Sequence, residues 1–293
     1  MSSDTATSPY PAASEPLPRR TTTGSDADLG RRLKEGWPPL ALGIAMLTVW
    51  ELASRLEWVS HLILPPPSGI GLAFIELFRS GIVWEHLVST LSAAIAGLAV
   101  GGSLGFGLAV LSSFWEPFRR TIEPYMIVLQ VTPRIALAPV FITWFGFGLT
   151  PKVVLAATIC FFPIFINTLT GLVTVDRDSM EMFRSMRATK RQVFTQLTLP
   201  GAMPVTIAGV KTAVTLTLIG AIVAEFVAGE RGLGFLLQRY NFRLAMDSAF
   251  AVLLLLAGLG LLMYGIAQWG DRRFVFWTDD SRLAKKRMKV GSN

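Results

Sequence analysis

Apolar residues in this chain come in long unbroken runs. They do not alternate like a half-buried strand or recur like one face of a surface helix. A helix needs about 20 mostly apolar residues to cross a bilayer. By that measure the runs at 38–58, 87–115, 124–150, 153–175, 201–228 and 248–270 predict six spanning helices. The first carries Glu51 and Arg55, the third Arg134, and the fifth Lys211 and Glu225. Pro133, Pro139 and Pro163 predict kinks or breaks in the third and fourth spans, because proline removes an intrahelical hydrogen bond. Inside a membrane such breaks persist only where neighbouring helices or a cavity satisfy the freed backbone groups. Leu64-Pro65-Pro66-Pro67-Ser68, followed by Leu72, Ile75 and Phe78 on one side, predicts a short interfacial helix capped by Ser68. Gly97, Gly101 and Gly105 recur every four residues and predict close helix approach, either within the chain or, as the sharper reading, at a dimer seam.

Composition narrows the class. Hydrophobic residues are 52% and charged residues 16%, where a soluble domain carries about 25% charged. One cysteine excludes a disulfide-stapled domain, and with two histidines it argues against zinc or haem. The net charge of +7 does not point to nucleic acid, because the basic residues flank apolar runs. Outside the predicted spans, 19 Lys and Arg fall on the side that holds both termini and 5 on the other. That asymmetry predicts both termini in the cytoplasm. The segment 229–247, with Arg231, Arg239 and Arg243, fits that orientation least well. Residues 1–36 hold ten Ser/Thr, four Pro and no apolar run, which predicts a disordered cytosolic tail. They show no signal-peptide pattern. Residues 37–277 form the predicted transmembrane domain, and 278–293 a basic cytosolic tail facing anionic lipid.

The segment 176–200, between the fourth and fifth spans, is too patterned for a linker. At 100° per residue, Met182, Phe183, Met186, Val193, Phe194 and Leu197 share one arc, with Lys190 intruding. This predicts an amphipathic helix, or two short helices in phase, starting near Asp178 or Ser179 and stopping before Pro200. Amphipathicity alone allows two roles: a basic helix lying among lipid headgroups, or a docking element whose Met and Phe knobs enter a partner's groove.

Glu181, position 187 and then Leu197-Thr198-Leu199-Pro200 have the spacing of the cytoplasmic E-A-A…G…I-x-L-P loop. In this the chain resembles the permease subunits of binding-protein-dependent ABC importers. Leu64-Pro65-Pro66-Pro67-Ser68, Pro133 to Pro139, Trp144-Phe145-Gly146-Phe147-Gly148, Phe161 to Thr168, Arg184 to Thr189 and Gly232-Leu233-Gly234 are similar to the nitrate/sulfonate/taurine/bicarbonate branch. The similarity covers residues 37 to 277. Met182 and Phe183 stand where that family usually has two alanines, and Arg187 where it has glycine, which would ease a bend between two loop helices.

The resemblance implies an all-α, polytopic bundle of six helices in the bacterial inner membrane, of the type I ABC importer permease kind. It implies a transport subunit and no enzyme. It also implies a second permease copy, two ATPase subunits and a periplasmic or lipoprotein solute-binding protein. The chain has no Gly-Lys dipeptide and so no phosphate cradle, which leaves ATP and magnesium to the ATPase and no cofactor or metal on this chain. Glu181, Met182, Phe183, Ser185, Met186, Arg187 and Ala188 are the expected ATPase-coupling residues. The expected cargo is a small anion such as nitrate, a sulfonate, taurine or bicarbonate; a vitamin precursor such as a pyrimidine or riboflavin is the alternative. A self-sufficient secondary transporter would show paired broken spans in two matching halves, and no second half is present. An intramembrane enzyme would need an Asp/His/Cys constellation, which is lacking.

A basic group at mid-membrane costs about 2.5–3.5 kcal/mol on insertion scales and so faces the bundle or water. Arg134 and Lys211 are candidates to attract an anion along the pathway, with Asn167 offering hydrogen bonds and Glu225 near the outer end. The bland alternatives are snorkelling for Lys211, and for Arg134 a pairing with Glu225, Glu51 or freed carbonyls. Gly229, Gly232 and Gly234 resemble an external gate or receptor-facing loop. Cys160 reads as packing, and His61 and His86 as isolated interface residues.

Overall fold

The computed structural model describes residues 25–274. The first helix, α1 (Ser25–Arg55), begins upstream of the predicted span, so its opening turns occupy part of the segment read as a tail. The remainder of that tail and the C-terminal tail lie outside the described residues. Residues up to Trp50 form a unit of their own. Within it the Thr48 hydroxyl donates to the Ile44 carbonyl at 2.8 Å, one turn back along the helix.

The second unit holds the rest: α2 (Pro67–Arg79), α3 (Ile82–Phe114), α4 (Glu116–Val131), α5 (Ala138–Phe145), α6 (Leu149–Val173), α7 (Arg177–Ser185), α8 (Lys190–Val193), α9 (Leu199–Ala228), α10 (Leu233–Phe242) and α11 (Met246–Phe274). Among the described residues, four helices are long and apolar enough to cross a membrane: α3, α6, α11 and the continuous stretch Lys190–Val227. The third predicted span is not straight. It is α4 followed, after Thr132 and Pro133, by a 3₁₀ turn (Arg134–Leu137) and α5, with an 85° bend between the halves. Counting that bent pair as one span gives up to five. The first predicted span lies in α1, where Pro38, Pro39, Glu51 and Arg55 dilute the apolar stretch.

Glycine and alanine set the core. A Cβ on Gly97 would fall 2.5 Å from the Ala156 Cβ, one on Gly101 2.3 Å from the Ala157 carbonyl oxygen, and one on Gly105 2.6 Å from the Phe161 carbonyl oxygen. The four-residue repeat is therefore the seam between α3 and α6 inside this chain. Gly220 makes the matching approach from α9, where a Cβ would fall 2.9 Å from the Ala156 Cα. With backbones this close, α6 lies sandwiched between α3 and α9, and dispersion contacts replace the hydrophobic drive that lipid cannot supply. Around this trio, Phe141 of α5 packs with Leu155 and Ile159, and Met126 of α4 with Ala109 and Phe165.

Two expectations need correction. Ser68 does not cap α2. Pro66 occupies the cap position, and Ser68 instead gives its backbone N–H at 3.0 Å and its hydroxyl at 2.7 Å to the Glu51 carboxylate. Glu51 thus does from outside what a capping side chain would do. Leu72 and Ile75 are exposed while Ile70 and Leu77 are buried, as befits a helix with one face on the bundle. Second, Pro163 does not break α6. The Ile159 carbonyl, whose i+4 partner would be the missing N–H of Pro163, accepts instead from Arg134 Nη1 at 3.1 Å.

Candidate functional site

The loop from α6 to α9 folds by local rules. Asp176 caps α7, its carboxylate accepting from the Ser179 N–H at 2.9 Å and the Ser179 hydroxyl at 2.7 Å. Those two bonds hold the Asp176 carboxyl below the usual carboxylate range. α7 ends in a Schellman turn: the Ala188 N–H reaches the Phe183 carbonyl at 3.0 Å and the Arg187 N–H the Arg184 carbonyl at 2.9 Å. This places Arg187 at φ +54°, the left-handed conformation that glycine adopts without strain. The bend that glycine would ease is present, with arginine carrying it. Thr189 and Gln192 then form a reciprocal capping box that starts α8.

The segment is two helices, as the arc allowed, but the second does not stop before Pro200. Residues Phe194–Thr198 form a π turn leading straight into α9. The wider turn accommodates Pro200, whose ring would crowd the carbonyl four residues back in a regular α-helix. The apolar arc is also divided. Phe194 packs on Phe114 at the end of α3, with ring centroids 4.6 Å apart, and Val193 and Leu197 are half-buried. Met182 and Met186 project outward, 54% and 73% exposed, flanked by exposed Glu181, Ser185 and Arg187 and half-buried Phe183 and Ala188.

At the far end of α9 lies a second polar construction. Glu225 is fully buried. The Thr90 hydroxyl lies 2.9 Å from both its oxygens, the Gly234 N–H donates at 2.9 Å, and Lys152 Nζ stands at 3.4 Å. Lys152 also donates to the Arg231 carbonyl and, at 3.0 Å, to the Ser89 hydroxyl. Thr90 Oγ1 accepts from the Leu233 N–H at 2.8 Å, and His86 Nδ1 from the Gly232 N–H at 2.9 Å. Side chains from α3, α6 and α9 thus hold the backbone of the loop preceding α10. Gly232, at φ +126°, lies so close that a Cβ would be 2.0 Å from Glu225 Cδ. Lys152, Thr90, Ser89 and His86 were not singled out from the sequence for this role. The available signal was a lone lysine and a lone glutamate at the same predicted end of two apolar helices.

The other charges are dispersed. Lys211 pairs with Asp271 of α11. Asn167 donates to the Pro163 carbonyl at 2.8 Å and packs against Gly209. Arg134 sits over the Phe162 ring at 5.6 Å and borders a cavity of about 310 Å³ between α3, α4 and α6. Arg134, Asn167, Lys211 and Glu225 therefore occupy four separate settings.

Residues 97–276 match the sequence model of the binding-protein-dependent transport system inner membrane component family. The chain belongs to this family. The permease is 34% identical to the formylaminopyrimidine transport permease of Halalkalibacterium halodurans over 232 residues, covering 79% of this chain and 92% of that protein. It is 35% identical to the riboflavin transport system permease of Chloroflexus aurantiacus over 244 residues, 82% of this chain and 91% of that one. A protein of Escherichia coli whose name assigns it to aliphatic sulfonates transport is 36% identical over 239 residues, again 82% and 91%. Among solved structures, the inward-facing MetNI methionine ABC transporter matches with a TM-score of 0.54 at 21% identity, over 67% of this chain and 95% of that one. The fold of the permease is accordingly that of a type I ABC importer permease. It is a membrane-embedded transport subunit of an ABC importer and no enzyme, and its family implies an ATPase and a solute-binding protein as partners.

Proposed function

We propose that this permease works as one of two copies in an ATP-driven importer of a small solute, a small anion being favoured, with two ATPase subunits on its cytoplasmic face and a solute-binding protein outside. Both termini and α7 face the cytoplasm, following the basic residues. The chain itself binds no cofactor; ATP and magnesium sit on the ATPase. Glu181, Met182, Phe183, Ser185, Met186, Arg187 and Ala188 form the contact through which ATPase closure reaches the bundle. The observation that carries this reading is the outward projection of Met182 and Met186 from a helix whose ends are both fixed by its own backbone and caps. Unbranched, polarizable methionines suit a groove that must stay engaged while it moves. Beyond the turn that closes α7, the stretch from Lys190 through the π turn and α9 continues as one helix into the bundle, so a push passed on at that turn meets no further break. ATP drives the change by binding one state of a two-state assembly better than the other.

Arg134 is the residue we assign to the pathway. Lys211 and Glu225 set the register of the helices around it through their partners on α11 and on α3 and α6, and Asn167 through its packing against Gly209 of α9. The relatives' names span sulfonates, formylaminopyrimidine and riboflavin, and the sulfonate kinship together with Arg134 favours the anion. The test is Met186→Asp in the reconstituted transporter. ATP hydrolysis should continue while binding-protein-dependent uptake falls at least about tenfold, the loss expected when a carboxylate is forced into an apolar contact. Uptake that stays coupled to hydrolysis in this variant would remove α7 as the docking element.

A further inference from the structure

The start of α10 is fastened by side chains from other helices. Three consecutive N–H groups there have no partner within the helix, and each is taken up in turn. Gly232 donates to His86 Nδ1 at 2.9 Å, Leu233 to Thr90 Oγ1 at 2.8 Å and Gly234 to Glu225 Oε2 at 2.9 Å. His86 and Thr90 stand one turn apart on α3, and both are buried. A ring nitrogen that accepts from an N–H carries no proton, so this imidazole is neutral, with its proton on Nε2. Phe235 of α10 stacks on the same ring, with centroids 6.0 Å apart.

The three acceptors answer acid differently. Thr90 does not titrate. A protonated Glu225 still has a carbonyl oxygen with which to accept, whereas a protonated His86 has no acceptor left. Protonation at Nδ1 would set a donor against the Gly232 donor. It would also place a cation at the N-terminal end of α10, where the helix dipole is already positive. The surrounding charges do not offset it. Glu85 is paired with Arg231 at 3.1 Å and Glu225 with Lys152 at 3.4 Å, and Arg239 of α10 adds a further cation near the ring. Glu85, Glu230 and Arg231 are exposed, so the ring lies one layer below the surface at this end.

We infer that His86 is a proton-operated latch on α10. The neutral ring fastens the helix and the loop before it to α3; the protonated ring releases them, and acid at this face lowers transport. The transport consequence rests on the import function proposed above, since the exposed Glu230 and Arg231 are what that loop offers to a solute-binding protein. The latch itself does not depend on that reading.

The test takes the permease, assembled with its ATPase in lipid nanodiscs, from about pH 8 to about pH 5, either side of the ordinary histidine range. Exchange of the imidazole Cε1 hydrogen, read by mass spectrometry, gives the titration of His86 in the unmodified chain. Amide exchange at Gly232, taken relative to the intrinsic rate at each pH, reads the latch. Protection there should fall at least about tenfold, with the midpoint of the ring, while amides of the α3–α6 seam keep theirs. His86→Asn carries an acceptor oxygen on Cγ, where the histidine has Nδ1, and should stay protected throughout. His86→Leu should be unprotected at both ends of the range. In proteoliposomes with the solute-binding protein outside, uptake by the native importer should fall over the same range, and uptake by His86→Asn should not. Amide protection that ignores the ring's midpoint would overturn the latch. So would an acid response of His86→Asn equal to that of the native chain, which would move the titration to Glu225. Uptake equally acid-sensitive in native and His86→Asn importers would overturn the transport consequence. Should the variants fail to fold, the two exchange midpoints of the native chain still decide the latch. If no ATPase assembles with the permease, the importer reading falls and the exchange result stands on its own.

Discussion

The loop between α9 and α10 takes its hydrogen bonds from residues far along the chain, whereas the loop between α6 and α9 makes nearly all of its own. His86 reaches Gly232 across 146 residues and Thr90 reaches Leu233 across 143. In the α7 region, Asp176, Ser179, Phe183, Arg184, Ala188, Thr189 and Gln192 bond partners no more than five residues away. The end of the first loop, Gly232 leading into Leu233, is buried, while Glu230 and Arg231 are exposed; that end is held from α3 and α9, and Lys152 of α6 holds the Arg231 carbonyl, so the loop moves only with those helices. The α7 part of the second is mostly exposed and its hydrogen bonds are local, so it keeps its shape while its neighbours rearrange, although Phe194 further on packs against Phe114 of α3. A rigid end and a portable end are what one helix, α9, needs if a motion received at its start is to be delivered at its finish.

Glu225→Leu strikes the rigid end hardest. It leaves Lys152 buried with no carboxylate, a change worth about 3–5 kcal/mol. A large fall in the thermal unfolding temperature of the detergent-solubilised permease is expected, with much of it recovered in the Glu225→Leu/Lys152→Met double variant. No recovery would mean that the pair does not hold this end together. Gly232→Ala attacks the same place through the backbone. Its Cβ would meet Glu225, and the left-handed φ adds strain, together about 2–3 kcal/mol. The same unfolding assay reads it, and a neutral result would show that the loop stands off from Glu225.

The portable end should respond weakly and locally. Arg187→Gly relieves a left-handed arginine and should slow amide exchange at Ala188 and raise stability by about 0.5–1 kcal/mol. Slower exchange spread over α3 or α6 would contradict the independence of this loop. The smallest effect is that of pH on the Asp176 cap. Because the folded carboxyl is held below its ordinary value, the cap contributes fully above about pH 4, the unfolded aspartate range, and is lost as pH falls through the lower folded value. The protection of first-turn α7 amides, their exchange taken relative to the intrinsic rate at each pH, should fall on acidification in the native permease. Protection should already be low, and insensitive to this titration, in Asp176→Ala. An acid response equal in both would remove the cap from the account.

Much of the local design was legible in the residues. Six methyl-rich and aromatic positions on one arc marked the α7–α8 segment, and Thr189 and Gln192 stand at capping-box spacing. Glycines every four residues announced a tight helix seam but not which helix it faces. The end of the second loop helix was misplaced, because Pro200 reads as a stop and only the π turn shows how the chain passes it. The cap of α2 was misassigned for a similar reason: Ser68 has the right chemistry, but a carboxylate from α1 takes the position's bonds. Lys152 and Glu225 looked like unrelated end charges, since 73 residues separate them in the chain.

Long uncharged runs by themselves determined that this chain lives in a bilayer, because water cannot hold so much apolar surface in one helix after another and a membrane can. Short-range chemistry likewise determined where α7 starts and turns, since caps and bends close within a few residues. Which charges meet, which one is left facing a cavity, and which proline-freed carbonyl is satisfied by an arginine were decided only by the packing of α3, α6 and α9. Those pairings depend on distances across the bundle, and residue order does not encode such distances until the helices are in contact.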